Sequence, residues 1–110
     1  VKNCIDRMIE MGVSPNIVID FSHGNSQKEH KRQLLVCEDV CEQISSFQTN
    51  IRGVMIESNI VEGKQDIKDK PLKYGKSITD SCINLADTEY IFDKLNSVVT
   101  YKCDFLNQYS

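Results

Sequence analysis

Three polar side chains of this sequence have the types and the spacing of metal ligands. His23 follows the apolar run Ile17–Ile19, Glu57 follows a second apolar run, and Asp80 ends a third. In parallel α/β folds, sites assemble at the carboxyl ends of strands, and neighbouring strands lie about 4.8 Å apart. One imidazole and two carboxylates suit Mn, Fe, Co or Zn. Spacing alone leaves open the blander alternative of three solvated polar groups at strand ends.

The elements that would position these residues are predicted from hydrophobic periodicity. The prediction is helix 3–11, strand 17–19, helix 26–45, a strand within 51–58, a polar connection 59–76, a strand within 77–83 and a final helix. The continuous apolar runs favour strands buried on both faces. Alternating strands and helices favour parallel βα units with right-handed crossovers, so the predicted fold class is α/β.

Single residues predict where elements begin, end and turn. Gly12 is expected to end the first helix, and Gly24 is expected to allow a tight turn into the second. Asp87 is predicted to cap the final helix. Asp20 is interpreted as a structural residue that orients its neighbours. Lys76 could meet a substrate phosphate, although an exposed lysine is the simpler interpretation.

The final helix is predicted to bury one apolar face, and residues 101–110 show no clear pattern. That face consists of Ile91, Phe92, Leu95, Val98 and Val99.

Charge and composition exclude several classes of protein. The net charge of −3 gives no basic footprint for nucleic acid, and no apolar run approaches the roughly 20 residues of a membrane span. The odd number of cysteines, five, and the absence of a signal peptide at the start of the sequence predict a reducing, cytoplasmic setting. Metal or redox roles for the cysteines are conceivable, but buried small hydrophobes are the favoured interpretation.

Three longer strings resemble successive motifs of one enzyme family. The strings are IDFSHGNSQK at 19–28, GVMIESNIVEGKQ at 53–65 and LKYGKSITDSCI at 72–83. In this order and spacing they resemble class I 3-deoxy-D-arabino-heptulosonate-7-phosphate (DAHP) synthase, and most closely its feedback-regulated bacterial and fungal forms. The resemblance runs from about Asn16 to Asp93.

The resemblance implies both a fold and a reaction. It implies that residues 1–110 are the C-terminal part of a (β/α)₈ TIM barrel, with about strands six to eight and their flanking helices. The implied reaction is the metal-dependent condensation of phosphoenolpyruvate with erythrose 4-phosphate, the first step of the shikimate pathway towards aromatic amino acids. His23, Glu57 and Asp80 would be metal ligands, with His23 also close enough to assist proton transfer.

The resemblance also implies what should lie outside these residues. The family's cysteine ligand and most of its phosphate-binding residues belong to earlier strands. Since the sequence begins without an initiator methionine, we expect a fragment of a longer enzyme that is inactive alone and forms a homo-oligomer at full length. One alternative is a non-catalytic truncated homologue that acts as an interaction or regulatory protein. Another is a related barrel enzyme that uses arabinose 5-phosphate.

Overall fold

The structure is a computed structural model that describes residues 1–27, 29–46, 48 and 50–109. Its helices are α1 (Lys2–Glu10), α2 (Arg32–Ser45) and α3 (Leu85–Tyr109), and its strands are β1 (Ile17–Asp20), β2 (Ile51–Met55), β3 (Val61–Lys64) and β4 (Lys76–Ser77). The predicted mixture of helices and strands is confirmed. Among the described residues, no helix has the length and apolar character that a bilayer crossing requires.

Strands β1 and β2 form the parallel pair that the apolar runs predicted. Val18 pairs with Gly53, Ile19 with Val54 and Asp20 with Met55. One further hydrogen bond, from the Phe21 N–H to the Met55 carbonyl at 2.8 Å, extends the pairing beyond the strand ends. The segments that follow β1 and β2 therefore leave the sheet side by side, at the edge where His23 and Glu57 lie.

The third predicted strand is much shorter than expected. Regular strand is confined to β4, and further along Ile83 forms an isolated parallel bridge with Ser58. The Ile83 N–H donates to the Glu57 carbonyl at 3.0 Å, and the Asn59 N–H donates to the Ile83 carbonyl at 2.9 Å. The Ile83 segment thus lies next to the chain that leaves β2. Asp80 sits between β4 and this segment, so it still reaches the same edge.

The sequence analysis missed strand β3, which lies inside the predicted polar connection. Val61 pairs with Lys76, and Lys64 pairs with Ser77, in a parallel arrangement with an irregular register. The missed strand contains Gly63 and charged residues, both of which weaken a strand signal in sequence.

The core lies between the β1–β2 pair and the two longer helices. Its buried members are Phe21, Cys37, Val40, Cys41, Ile44, Ile83 and Ile91. The opposite face of the sheet is open, since Val18 is 67% exposed and Met55 is 38% exposed. The prediction of strands buried on both faces is therefore wrong for these residues, because no described element packs against that second face.

Helix α2 begins later than predicted. A short 3₁₀ helix occupies Gly24–Ser26, and the α-helix starts at Arg32. The expected role of Gly24 is also wrong: its φ is not positive, and a Cβ placed there would meet nothing within 4 Å. The left-handed residue in this turn is Gln27, with φ of 54°. Residue 28, inside the predicted helix, lies outside the described residues.

The predicted end of α1 is confirmed. Gly12 has a φ of +71°, and the Val13 N–H donates to the Met8 carbonyl at 2.8 Å. This hydrogen bond spans five residues and encloses a left-handed glycine, which is the Schellman motif common at helix C-termini.

Helix α3 differs from the prediction at both of its ends. Its N-cap is Asn84, whose side-chain Oδ1 accepts from the Asp87 N–H at 2.8 Å. The predicted cap Asp87 lies instead in the first turn. The helix continues to Tyr109, through the tail that showed no pattern. Of the predicted apolar face, Phe92 and Val99 are largely exposed.

The cysteine prediction is confirmed at three of the five positions. Cys37, Cys41 and Cys82 are buried, whereas Cys4 and Cys103 are exposed. Burial raises the pKa of the Cys37 thiol to about 12, so this group is a poor nucleophile.

Gly75 offers a test of how tightly the β3–β4 connection packs. Its φ is +77°, and an added Cβ would lie 2.8 Å from the Cβ of Ile60. Gly75→Ala should lower the free energy of unfolding by about 1–2 kcal/mol through backbone strain and by about 1–3 kcal/mol more through overpacking. Urea unfolding of the purified protein measures the loss.

Two matched alanine variants separate the two costs. Gly12→Ala should show only the backbone cost, since its φ is positive but nothing lies within 4 Å of the new Cβ. Gly24→Ala should be close to neutral. Equal losses for Gly75→Ala and Gly12→Ala would contradict the predicted clash with Ile60.

Candidate metal centre

His23 is held in one orientation by the residue that ends β1. Its Nδ1 lies 2.7 Å from Oδ2 of Asp20. The other oxygen of Asp20 accepts from the Ser22 N–H at 2.8 Å and from the Ser22 hydroxyl at 3.0 Å. A carboxylate that binds one ring nitrogen fixes the tautomer and leaves the other nitrogen available to a metal. The interpretation of Asp20 as an orienting residue agrees with this geometry.

The free nitrogen of His23 faces two carboxylates. Its Nε2 lies 3.3 Å from Oε1 of Glu57 and 3.3 Å from Oδ2 of Asp80. One ligand atom from each of the three residues fits within 4.8 Å of the others. The structure therefore brings together all three residues that the sequence singled out.

The electrostatics of this cluster favour a cation. Hydrogen bonds with Asp20 and Asp80 raise the pKa of His23 above its ordinary value. Burial, followed by the negative charge of Asp80, raises the pKa of Glu57. Neighbouring carboxylates contribute to both shifts, and a divalent ion would offset their negative charge.

Asp20 is the strongest acid of the group. Burial opposes ionisation of its carboxyl, but the hydrogen bonds from Ser22 and His23 outweigh burial and lower its pKa to about 2. Asp20 therefore stays ionised and keeps its hold on the imidazole at any physiological pH.

Glu57 is anchored through its backbone by a buried amide. The Gln33 side chain is fully buried; its Oε1 accepts from the Glu57 N–H at 3.1 Å, and its Nε2 donates to the Glu57 carbonyl at 3.1 Å. The sequence analysis did not single out Gln33. A polar residue on the predicted apolar side of α2 was the only available signal.

Asp80 is anchored through the residue that follows it. The hydroxyl of Ser81 lies 2.6 Å from Nδ1 of His30, and the Nε2 of His30 lies 3.5 Å from Oε2 of Glu62. The same Glu62 oxygen is 2.8 Å from Nζ of Lys31, which also lies 3.3 Å from Asp87. Lys31, directly before α2, thus pairs with one acid of β3 and one of α3.

A small cavity lies at the cluster. Its volume is about 60 Å³, and its lining includes Ser22, the three clustered residues, Lys64 and Ser81. This space suits an ion with one or two small ligands. The sequence analysis missed Lys64 because the strand that carries it was not predicted. Lys76 lies on β4, is half-buried and does not line this cavity.

The donor geometry fits a divalent transition metal. Metal–ligand bonds of about 2.1 Å place neighbouring ligand atoms about 3.0–3.4 Å apart, and the two distances from the His23 Nε2 are 3.3 Å. A neutral imidazole with two carboxylates is a borderline donor set, which suits Mn, Fe, Co or Zn. Both the spacing and the donor types of the cluster therefore fit a divalent transition metal.

Comparison with known proteins identifies the family of the chain. Residues 3–93 match the model of the DAHP synthetase I family. The Trp-sensitive phospho-2-dehydro-3-deoxyheptonate aldolase of Salmonella typhimurium is 50% identical over 95 residues, which are 86% of this chain and 27% of that protein. The Phe-sensitive enzyme of Escherichia coli K12 is 48% identical over 89 residues, 80% of this chain and 25% of that protein.

A solved structure agrees with the sequence relatives. Phospho-2-dehydro-3-deoxyheptonate aldolase from Francisella tularensis superposes with a TM-score of 0.88 at 44% identity, over 93% of this chain and 30% of the other. The chain spans about a quarter of the length of the curated relatives it matches, at 27% and 25%. The chain belongs to the DAHP synthetase I family.

Proposed function

We propose that this chain carries the metal-binding edge of a DAHP synthase, with His23, Glu57 and Asp80 as ligands of a divalent ion. The observation that carries the proposal is the convergence of these three side chains around the His23 Nε2, at 3.3 Å from each carboxylate. All three lie within the segment 3–93 that matches the family. The proposed reaction joins phosphoenolpyruvate to erythrose 4-phosphate and releases phosphate.

The ligand set suits the electrophilic step of this reaction. A bound divalent ion would act as a Lewis acid towards the aldehyde oxygen of erythrose 4-phosphate. The two carboxylates offset the charge of the ion, and the imidazole binds as a neutral donor. With Nε2 on the ion and Nδ1–H donated to Asp20, the His23 ring has no site left for a further proton, so the role proposed for it here is that of a ligand.

Asp20 sets the chemistry of His23 in this proposal. With Nδ1–H donated to the Asp20 carboxylate at 2.7 Å, the lone pair stays on Nε2, and the imidazole becomes more basic. The ring cannot rotate away without losing this charged hydrogen bond. Asp20 is therefore a positioning residue, while the three ligands bind the ion.

The shape of the molecule supports a partial-barrel assignment for residues 1–110. Its radius of gyration is 16.8 Å and its extents are 58 × 33 × 17 Å, whereas a compact domain of this length has a radius near 13 Å, by about 2.2·N^0.38. The accessible surface is 7539 Å², against about 6,200 Å² expected for this mass. Further βα units, paired to the free edges of the β1–β2 sheet, would close the barrel and cover the open face of these strands.

Two alternatives make different predictions for the purified protein. A related barrel enzyme would accept arabinose 5-phosphate in place of erythrose 4-phosphate. A non-catalytic homologue would not consume phosphoenolpyruvate with either sugar phosphate. It would act by binding another protein. We favour the synthase over a non-catalytic homologue because all three proposed ligand positions are filled by competent residues in one cluster. We favour it over the related enzyme because relatives 48–50% identical to this chain are named phospho-2-dehydro-3-deoxyheptonate aldolase.

His23→Ala should abolish turnover without unfolding the protein. The full chain, as it is naturally produced, is assayed for phosphoenolpyruvate consumption with Mn²⁺ and each sugar phosphate. We expect activity with erythrose 4-phosphate only, and a loss of at least about a hundredfold in His23→Ala, because the ion loses a ligand.

Glu89→Gln in α3 is the control for this experiment, since Glu89 is exposed and lies outside the cluster. Circular dichroism checks that His23→Ala keeps the native fold. Full activity of His23→Ala at limiting Mn²⁺ would refute the ligand assignment. Consumption with arabinose 5-phosphate instead would favour the related enzyme.

Asp20→Asn should weaken metal binding while all three ligands stay in place. The amide can still accept from Ser22, but it no longer offers a negative charge to the Nδ1–H of His23. Loss of such a partner typically lowers metal affinity by about 10–100-fold. Titration with Mn²⁺, followed by electron paramagnetic resonance of the free ion, measures the change.

Asp39→Asn is the matched control, because Asp39 is an exposed residue of α2 that accepts from Gln43 at 3.2 Å and lies outside the cluster. Its Mn²⁺ affinity should equal that of the unmodified protein. An Asp20→Asn affinity within twofold of the control would show that Asp20 does not act on the metal site.

A further inference from the structure

We propose that residues 30–33, the turn that leads into helix α2, are a positioning device for the metal centre, with Gln33 holding Glu57 and His30 holding the Asp80 segment. The inference rests on the proposed metal site. It adds two residues that touch neither the ion nor a substrate but set the separation of two of the ligands.

Gln33 holds Glu57 on both sides of its Cα. The side-chain amide pairs with the N–H and with the carbonyl of Glu57, each at 3.1 Å. The direction of the Cα–Cβ bond of Glu57 is therefore fixed by a side chain that is itself fully buried. The same Glu57 carbonyl also accepts from the Ile83 N–H at 3.0 Å. The hydrogen bonds of the Gln33 amide are therefore connected, through Glu57, to the Ile83 segment.

The side-chain amide of Gln33 is buried, and its hydrogen bonds to Glu57 offset the cost of that burial. A buried amide without partners is strongly disfavoured, and at this position both of its polar atoms are satisfied by one residue. Removing the amide would leave the Glu57 N–H without its partner at a point where β2 has already ended. The Glu57 side chain would then be free to move away from Asp80, which carries the same charge.

His30 acts on the other carboxylate. Its Nδ1 lies 2.6 Å from the hydroxyl of Ser81, the residue after Asp80. The imidazole is three-quarters buried, with 25% of its side chain exposed, and its Nε2 faces Glu62 at 3.5 Å. The peptide that carries Asp80 is thereby tied to α2 rather than left as a loop end.

The Gln33–Glu57 and His30–Ser81 contacts come from a single turn of backbone at residues 30–33. The Gln33 N–H donates to the His30 carbonyl at 3.1 Å, and residues three apart lie on the same side of a helix. One turn of backbone therefore links the supports of Glu57 and Asp80. Two repelling carboxylates are held at ligand distance before the ion arrives, so binding needs less rearrangement.

The test compares the Mn²⁺ affinity of the full chain with its stability. Gln33→Met keeps the length of the side chain and removes the amide, and His30→Phe keeps a ring and removes the nitrogen. We expect each to raise the dissociation constant for Mn²⁺ by about 10–100-fold, measured by electron paramagnetic resonance. His30→Asn, whose amide can replace Nδ1, should recover most of the loss.

The controls separate a positioning role from general destabilisation. Gln43→Met makes the same substitution in the same helix, where the amide donates only to Asp39. Ile44→Val removes a methylene from the buried core. Both should leave the Mn²⁺ affinity unchanged, although Ile44→Val should lower the unfolding midpoint in urea.

A double-mutant cycle tests the route from His30 through Ser81. The effects of His30→Phe and Ser81→Ala on Mn²⁺ affinity should be strongly non-additive, since both remove the same hydrogen bond. Should Gln33→Met fail to fold, the His30 and Ser81 variants still decide the outcome.

Two results would overturn the inference, and they are distinguishable. Normal Mn²⁺ affinity in His30→Phe and in folded Gln33→Met, with affinity lost in His23→Ala, would refute the positioning role and keep the metal site. Normal affinity in His23→Ala would refute the metal site itself and the inference with it.

Discussion

The parallel alignment of β1, β2 and the Ile83 segment is the constraint on which the rest of the site depends. The bonds from Phe21 to Met55 and from Ile83 to Glu57 fix the height of each chain as it leaves the sheet. A slip of one residue would turn the Glu57 side chain to the other face, away from His23. The packing of α2 and α3 on one face of the sheet holds this register. The packing of the buried apolar cluster thus sets the positions of His23 and Glu57, which are not themselves part of that cluster.

The site combines groups whose ionisation favours folding with one whose ionisation opposes it. Three carboxylates surround one imidazole, so the cluster stays negative even when His23 carries its proton. The raised pKa of Glu57 reflects this cost. The low pKa of Asp20 shows the opposite balance, because its hydrogen bonds exceed the cost of its burial. The contacts that favour folding and the contact that opposes it therefore meet at the same edge of the sheet.

The sequence was sufficient for the parts of the molecule that are set by local pattern. Residue types over a few positions are enough to predict the apolar strand β1, the end of α1 at Gly12 and the three residues that we propose as ligands. It was insufficient where tertiary contacts outweigh local preference. Asn84 caps α3 although Asp87 is an equally good capping type, and β3 forms around a glycine because β4 lies beside it. The start of α2 is set by the contacts of His30 and Gln33, not by periodicity.

Ligands and the residues that position them differ in how they are encoded. A ligand must present one of a few donor atoms, so its type at a strand end is visible in the sequence. A positioning residue needs only a hydrogen bond to a backbone group, which any chain position can offer. The Gln33–Glu57 contact spans 24 residues and the His30–Ser81 contact spans 51. Locally, Gln33 differs from Gln43 ten positions later only in its place on the predicted apolar side of the helix. Only the packing of α2 on the sheet shows that one amide is a clamp and the other faces a solvated carboxylate.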